Sequence, residues 1–286
     1  MLRLKGDQVT LIVNGQTVAE HKCSQPIDER QFRFCRFYDY ACRIRNITYR
    51  GDWSRQLPTV AEQELAYPAG GPFNAADRSV EEKQVFDLSK PLADLEKEGL
   101  KVSEPATQLS PQAEGMRFTL RKSKNKNQKP GFIGRQSIAG DFDLVVDIKD
   151  LKVDRVKKGW GAGLEVIVEL ADAAKSKVTL SIAIGKSGRR YLQASRKHLL
   201  PIGKQHKDGF RRYGDENTGK IKLARRGSEI HCMFAATEDD FELIESIVTG
   251  AEPVSEFKVQ AKSSNPNTKL DVIAKKIELI RYKVSK

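Results

Sequence analysis

Long apolar runs are missing from this chain. No window approaches the eighteen or so consecutive hydrophobic residues that carry a helix across a bilayer, so a membrane-spanning helix is excluded. Cysteine is scarce. The four present, Cys23, Cys35, Cys42 and Cys232, form no CxxC pair and keep no zinc-type spacing with histidine, which argues against a structural metal site. Cys232 falls in an alternating segment and reads as a small core residue. No serine or cysteine sits in a nucleophile-elbow context. His198, His206 and His231 are too separated in the sequence to nominate a site. The opening MLRLKGDQV lacks the apolar core and cleavage site of a secretory signal peptide. Because it reads as the middle of a domain, the natural start is expected upstream, and the compartment, exported or not, stays open.

What the chain does have is side-chain alternation with a period of two, the signature of half-buried strands. Val9, Leu11 and Val13 alternate up to Asn14-Gly15, a pair suited to a type I′ hairpin, and Val18 lies on the return strand. Gln31–Tyr38 and Ile44–Tyr49 alternate again. These read as the closing strands of a β-sandwich, an incomplete unit over residues 1–58. The same strand, glycine turn and return strand recur at Lys220–Cys232 around Arg225-Arg226-Gly227.

Residues 59–114 change character. Prolines at 68, 72, 91, 105 and 111, with Gly70-Gly71, break regular structure repeatedly. A short helix is expected near 90–98, with Ser89 as its cap, Pro91 in its first turn and Gly99 to end it. The segment reads as a connector lying on a sandwich through Phe73, Val85, Phe86, Leu88, Leu92 and Leu95. From Met116 onward nearly every segment alternates. The pattern predicts an all-β fold for residues 115–286, a complete antiparallel two-sheet jelly-roll sandwich.

The formal charge of +12 attracts polyanions without any dedicated motif. Its lysines and arginines are nevertheless scattered, mostly at alternate outward positions or in turns. No helix-turn-helix, zinc finger or aromatic RNP-like strand accompanies them. Charge-driven nucleic-acid binding is therefore a secondary alternative.

The succession Gly134-Arg135-Gln136-Ser137-Ile138-Ala139-Gly140-Asp141-Phe142-Asp143, then Gly159-Trp160-Gly161-Ala162-Gly163-Leu164, then Gly219-Lys220 through Arg225-Arg226-Gly227 resembles concanavalin A-like lectin/glucanase and laminin-G-like sandwiches. It is similar to an uncharacterised domain family of large multidomain bacterial proteins. In that family the pattern RIRNITYRGDW at Arg43–Trp53 also closes one sandwich and leads toward the next. The resemblance implies the fold and is silent about reaction, because jelly rolls host sugar binding, protein binding, hydrolysis and structural roles. The glucanase branch resembles a strand with an ExDxxE-type carboxylate set, and that triplet is not found here.

Asp141, Asp143 and Asp147 share one strand face by even spacing, and a wet-face role suits them better than catalysis. No catalytic residue is nominated. Trp160, flanked by glycines, is the candidate platform for a sugar ring or an aromatic partner. Arg189, Tyr191 and Arg135 are candidates for planar hydrogen bonds to a ligand, or for pairing with Asp141 or Asp143. Lys204–Tyr213 reads as a long polar loop. No cofactor is expected; calcium is the one the lectin resemblance leaves open, although Asp141, Asp143, Asp150 and Asp154 display no recognisable calcium loop. The expected function is a non-catalytic recognition or scaffold module that binds polysaccharide or a protein surface beside neighbouring sandwich domains. The alternative is a glycoside hydrolase with an atypical carboxylate site.

Overall fold

A computed structural model describes residues 2–5, 8–13, 16–22, 78–121, 128–154, 156, 159–199, 205–237 and 239–283. The chain divides into two units, Met1–Pro58 and Thr59–Lys286. In the first, β1 (Leu2–Lys5), β2 (Gln8–Val13) and β3 (Gln16–Lys22) form an antiparallel sheet in that order. The Asn14-Gly15 corner, the segments expected as strands at 31–38 and 44–49, and Trp53 lie outside the described residues.

The second unit is two stacked antiparallel sheets. The seven-stranded sheet runs β13 (Gln205–Gly214), β12 (Arg190–Leu199), β11 (Lys177–Ile184), β10 (Ala162–Leu170), β17 (Val254–Ser263), β8 (Gly131–Gly134), β5 (Leu100–Ser103). The other runs β16 (Glu242–Val248), β15 (Glu229–Ala235), β14 (Gly219–Arg226), β9 (Phe142–Val153), β18 (Leu270–Tyr282), β7 (Gly115–Leu120), β6 (Leu109–Gln112). One edge of the long strand β18 lies along β9, and its other edge is shared by β7 and by β4 (Val80–Asp87).

Alternation builds the core. Leu164, Val166, Val168 and Leu170 of β10 and Leu144, Val146 and Ile148 of β9 point inward and are buried in one continuous cluster. Burial of each such side chain stabilises by about 1.5–3 kcal/mol. Aromatic pairs join the layers. Phe118 of β7 meets Phe132 of β8 edge-on at 5.8 Å, and Phe86 of β4 meets Phe257 of β17 at 6.4 Å.

Residues 80–112 depart from the expected connector, because they pair into both sheets. Strand β4 adds to β18, β5 to β8 and β6 to β7, and Phe86 and Leu88 are core residues. Pro111 is compatible with a strand because β6 lies at a sheet edge, where a missing N–H leaves no ladder bond unmade. The helix α1 (Leu92–Lys97) forms within the expected span, but Pro91 caps it. Ser89 is engaged elsewhere, its hydroxyl donating to Asp87 Oδ1 at 2.8 Å. Gly99 follows at φ +102°, a left-handed turn that glycine takes without strain. Lys204–Tyr213 is likewise not a loop: Gln205–Gly214 is the edge strand β13.

Candidate functional site

Register decides which side chains share the outer face of the seven-stranded sheet. Tyr213 of β13 sits opposite Tyr191 of β12, and Tyr191 opposite Ala183 of β11. One step along, Arg211, Gln193, Ser181, Glu165 and Gln260 line up across β13, β12, β11, β10 and β17. At the Tyr191 end of these rows opens a cleft of about 460 Å³ lined by Trp160, Lys186, Tyr191, Arg211 and Tyr213, together with Gly159, Gly185 and Ser187.

The loop entering β10 places Trp160 at this cleft. Gly161 has φ +143°, and a Cβ there would stand 2.4 Å from Ile184 O and 3.0 Å from the Tyr191 hydroxyl, so only glycine lets the loop lie this close to β11 and β12. Ser264 fastens it from β17's end, its Oγ accepting from Gly161 N at 3.0 Å. The Tyr191 hydroxyl donates to Trp160 O at 3.0 Å. Burial pushes the Tyr191 phenol up to about 12 against the opposing pull of Arg211, so it stays protonated and keeps that bond at neutral pH.

Aromatic rings and cations alternate along the wall. The Arg189 guanidinium lies 4.7 Å from the Tyr213 ring centroid, and Tyr213 meets Tyr191 edge-on at 6.2 Å. Arg211 lies 4.1 Å from the Tyr191 centroid and donates to Gln193 Oε1 at 3.0 Å. Lys262 Nζ is 5.4 Å from the Trp160 centroid and 2.9 Å from Glu165 Oε1. Tyr191 is fully buried and forms the floor, whereas Trp160 and Tyr213 keep part of their rings open.

Two carboxylates of β10 lie on this face, and both are occupied. Glu165 receives Lys262 and the Gln260 amide. Burial alone would raise Glu169, yet hydrogen bonds from Lys177 and Lys258 prevail and hold it below the usual carboxylate range.

Of the residues nominated from sequence, the fold brings Trp160, Arg189 and Tyr191 together and leaves the other three elsewhere. Arg135 is well exposed and 4.0 Å from Glu256. Asp141 pairs with Arg78 and accepts from Gly227 N at 2.7 Å. Asp143 is on the other sheet and buried, not on a wet face. Lys222 and Arg226 of β14 cover it, with Tyr282 of β18, so neither aspartate pairs with Arg135 or Arg189. Arg211 and Tyr213 were missed because their strand was read as a loop. The strand is polar on both faces, so it carried no apolar alternation to mark it. His198 and His206 turn out to be register partners across β12 and β13. Among the described residues, no three His, Cys, Asp or Glu side chains are arranged to hold a metal ion.

Residues 60–280 match the family described as "Protein of unknown function (DUF1583) C domain", and residues 1–56 match "Domain of unknown function (DUF1583_N)". No curated protein matches the chain in sequence. Similar solved structures include a native glycosidic hydrolase, with TM-score 0.50 and 9% identity over 73% of this chain and 98% of that one. A Bacillus licheniformis β-glucanase has TM-score 0.49 and 12% identity over 71% and 98%. A legume lectin-like domain from Entamoeba histolytica has TM-score 0.47 and 9% identity over 69% and 96%. At such identities the likeness is one of fold, a concanavalin A-like sandwich, as the glycine-punctuated strands suggested.

Proposed function

We propose, for a chain that belongs to the DUF1583 family, that its concanavalin A-like unit is a non-catalytic recognition module that lays a polysaccharide across the outer face of the seven-stranded sheet, against Trp160. The observation that carries this reading is the cleft itself, in which partly open Trp160 and Tyr213 rings stand over the Tyr191 floor. A sugar ring offers such a wall an apolar C–H face, and its hydroxyls meet the partly open Gln193 amide farther along the same face.

Hydrolysis would ask for something different: a carboxyl kept protonated beside a second, ionised carboxylate. Glu165 and Glu169 are four residues apart on one strand, about 13 Å along it, and Glu256, opposite Glu169 on β17, is bridged to it by Lys258. Each is held by ammonium partners, and Glu169 is depressed rather than raised. This supports recognition without cleavage.

Affinity electrophoresis of the full chain through gels containing different polysaccharides tests the proposal. At least one polysaccharide is expected to retard the protein, and Trp160→Ala, with melting temperature held, to weaken that binding about tenfold or more, the loss of one ring's burial. Saturable binding to none of them, equal retardation of the variant, or release of reducing sugar by the wild-type chain would overturn it.

A further inference from the structure

Cations crowd the Trp160 cleft. Lys186 lines it and is exposed, Arg189 lies over Tyr213, and Arg211 lies over Tyr191. Among the described residues no carboxylate pairs with any of the three. We infer that the ligand of this cleft is an acidic polysaccharide, a chain whose sugars carry carboxylate or sulfate groups; this rests on the recognition reading above and names its ligand class.

The geometry of the two arginines carries the inference. Each guanidinium carbon lies over a tyrosine ring, which holds two cations at the cleft wall where their forked N–H donors suit a planar or tetrahedral oxyanion. Among the described residues, Arg211 donates one side-chain hydrogen bond, to Gln193. The neighbouring carboxylate Glu165 already takes Lys262 and Gln260, so it offers the arginines no internal counter-ion.

The positive field continues beyond the cleft. Lys129 and Lys207 both have their pKa lowered, first by desolvation and next by the Lys262 ammonium, and for both Glu165 is the acidic group that opposes the shift. Ammonium groups that repel one another around a single satisfied carboxylate are stabilised when an anion docks among them. From Tyr213 on β13 to Lys262 on β17 is four strand spacings, about 19 Å, a span suited to several linked sugars rather than one. The partly open Gln193 amide beside Arg211 on the same face suits a hydroxyl-bearing chain.

Calorimetric titration of the full chain with four probes tests this: polygalacturonate for carboxylate, dextran sulfate for sulfate, dextran as the neutral glycan, and oligothymidylate as a non-glycan polyanion. One or both acidic glycans are expected to bind at least tenfold more tightly than dextran, with affinity falling as salt rises. The Lys186→Gln/Arg189→Gln pair is expected to cut the acidic-to-neutral affinity ratio about tenfold, the loss of a charge-assisted hydrogen bond, with melting unchanged. Whichever acidic arm binds identifies the group recognised. Dextran binding as tightly as both acidic glycans would overturn the inference and leave polysaccharide recognition standing, whereas binding of no glycan would end both. Oligothymidylate binding as tightly as the acidic glycans and indifferent to Trp160→Ala would reassign the face to polyanions at large, and the inference would fall.

Discussion

Asp143→Ala is expected to lower the unfolding free energy by about 3–5 kcal/mol, because it strands two buried cations. Asp143 is 2% exposed on the outer face of the eight-stranded sheet. Lys222 Nζ lies 2.9 Å from Oδ2, and Tyr282 donates its hydroxyl to the same oxygen at 3.0 Å. Arg226 Nη2 approaches Oδ1 to 2.7 Å as an ion pair, off the hydrogen-bonding direction. The rings of Phe241 and Tyr282 cover the two cations, so water does not replace the carboxylate when it is removed. Burial, and then the facing carboxylate, push the Tyr282 phenol upward, which keeps it a donor. The fall is read as a lower denaturant midpoint at unchanged slope, and Asp143→Asn, which retains an acceptor without the charge, falls between variant and wild type. A midpoint within experimental scatter of wild type would mean that solvent reaches the cluster.

Arg225→Met is expected to cost about 3 kcal/mol or more. Arg225 is 1% exposed, and its guanidinium donates to three backbone carbonyls: Nε to Gly227 O at 3.1 Å, Nη1 to Glu252 O at 2.6 Å and Nη2 to Gly250 O at 2.8 Å. It thereby ties the β14–β15 turn to the connection between β16 and β17. Each carbonyl left without a donor costs about 1–3 kcal/mol. Burial lowers the pKa of this guanidinium, against the pull of Asp141 and Glu252. A lysine cannot reproduce three bonds held in one plane, so Arg225→Lys is expected to recover little of the loss, with hydrogen exchange accelerating locally around 249–253. Wild-type stability in the lysine variant would contradict the clamp.

Both of these residues illustrate where the sequence is legible and where it is not. Strands from β9 onward, β13 apart, are written in their alternation, because one face must be apolar, and Leu164–Leu170 or Phe142–Ile148 admit no other register. The same alternation assigned Asp143 to a wet face, since period says which face a side chain is on but not what lies over it, and Arg225 was read only as part of a turn although it shares the inward face of Ile221 and Leu223. Asp143 is covered by residues about 80 and 140 positions away, and Arg225 finds its carbonyls across a turn. Edge strands were the other blind spot. Strand β6 carries a proline and β13 is polar on both faces, and at an edge neither needs the apolar signal that marks a central strand. This is why Trp160 and Tyr191 were found from their glycine-rich and alternating surroundings, while Arg211 and Tyr213, one strand over, were not.

The most direct test of Trp160 as the ligand platform uses its own fluorescence. The chain has two tryptophans, so Trp53→Phe leaves Trp160 as the sole indole. A polysaccharide that binds this variant is predicted to shift Trp160 emission and to shield it from a soluble quencher, saturating in step with binding. Binding that leaves both the emission and the quenching of Trp160 unchanged would place the ligand elsewhere and contradict the account.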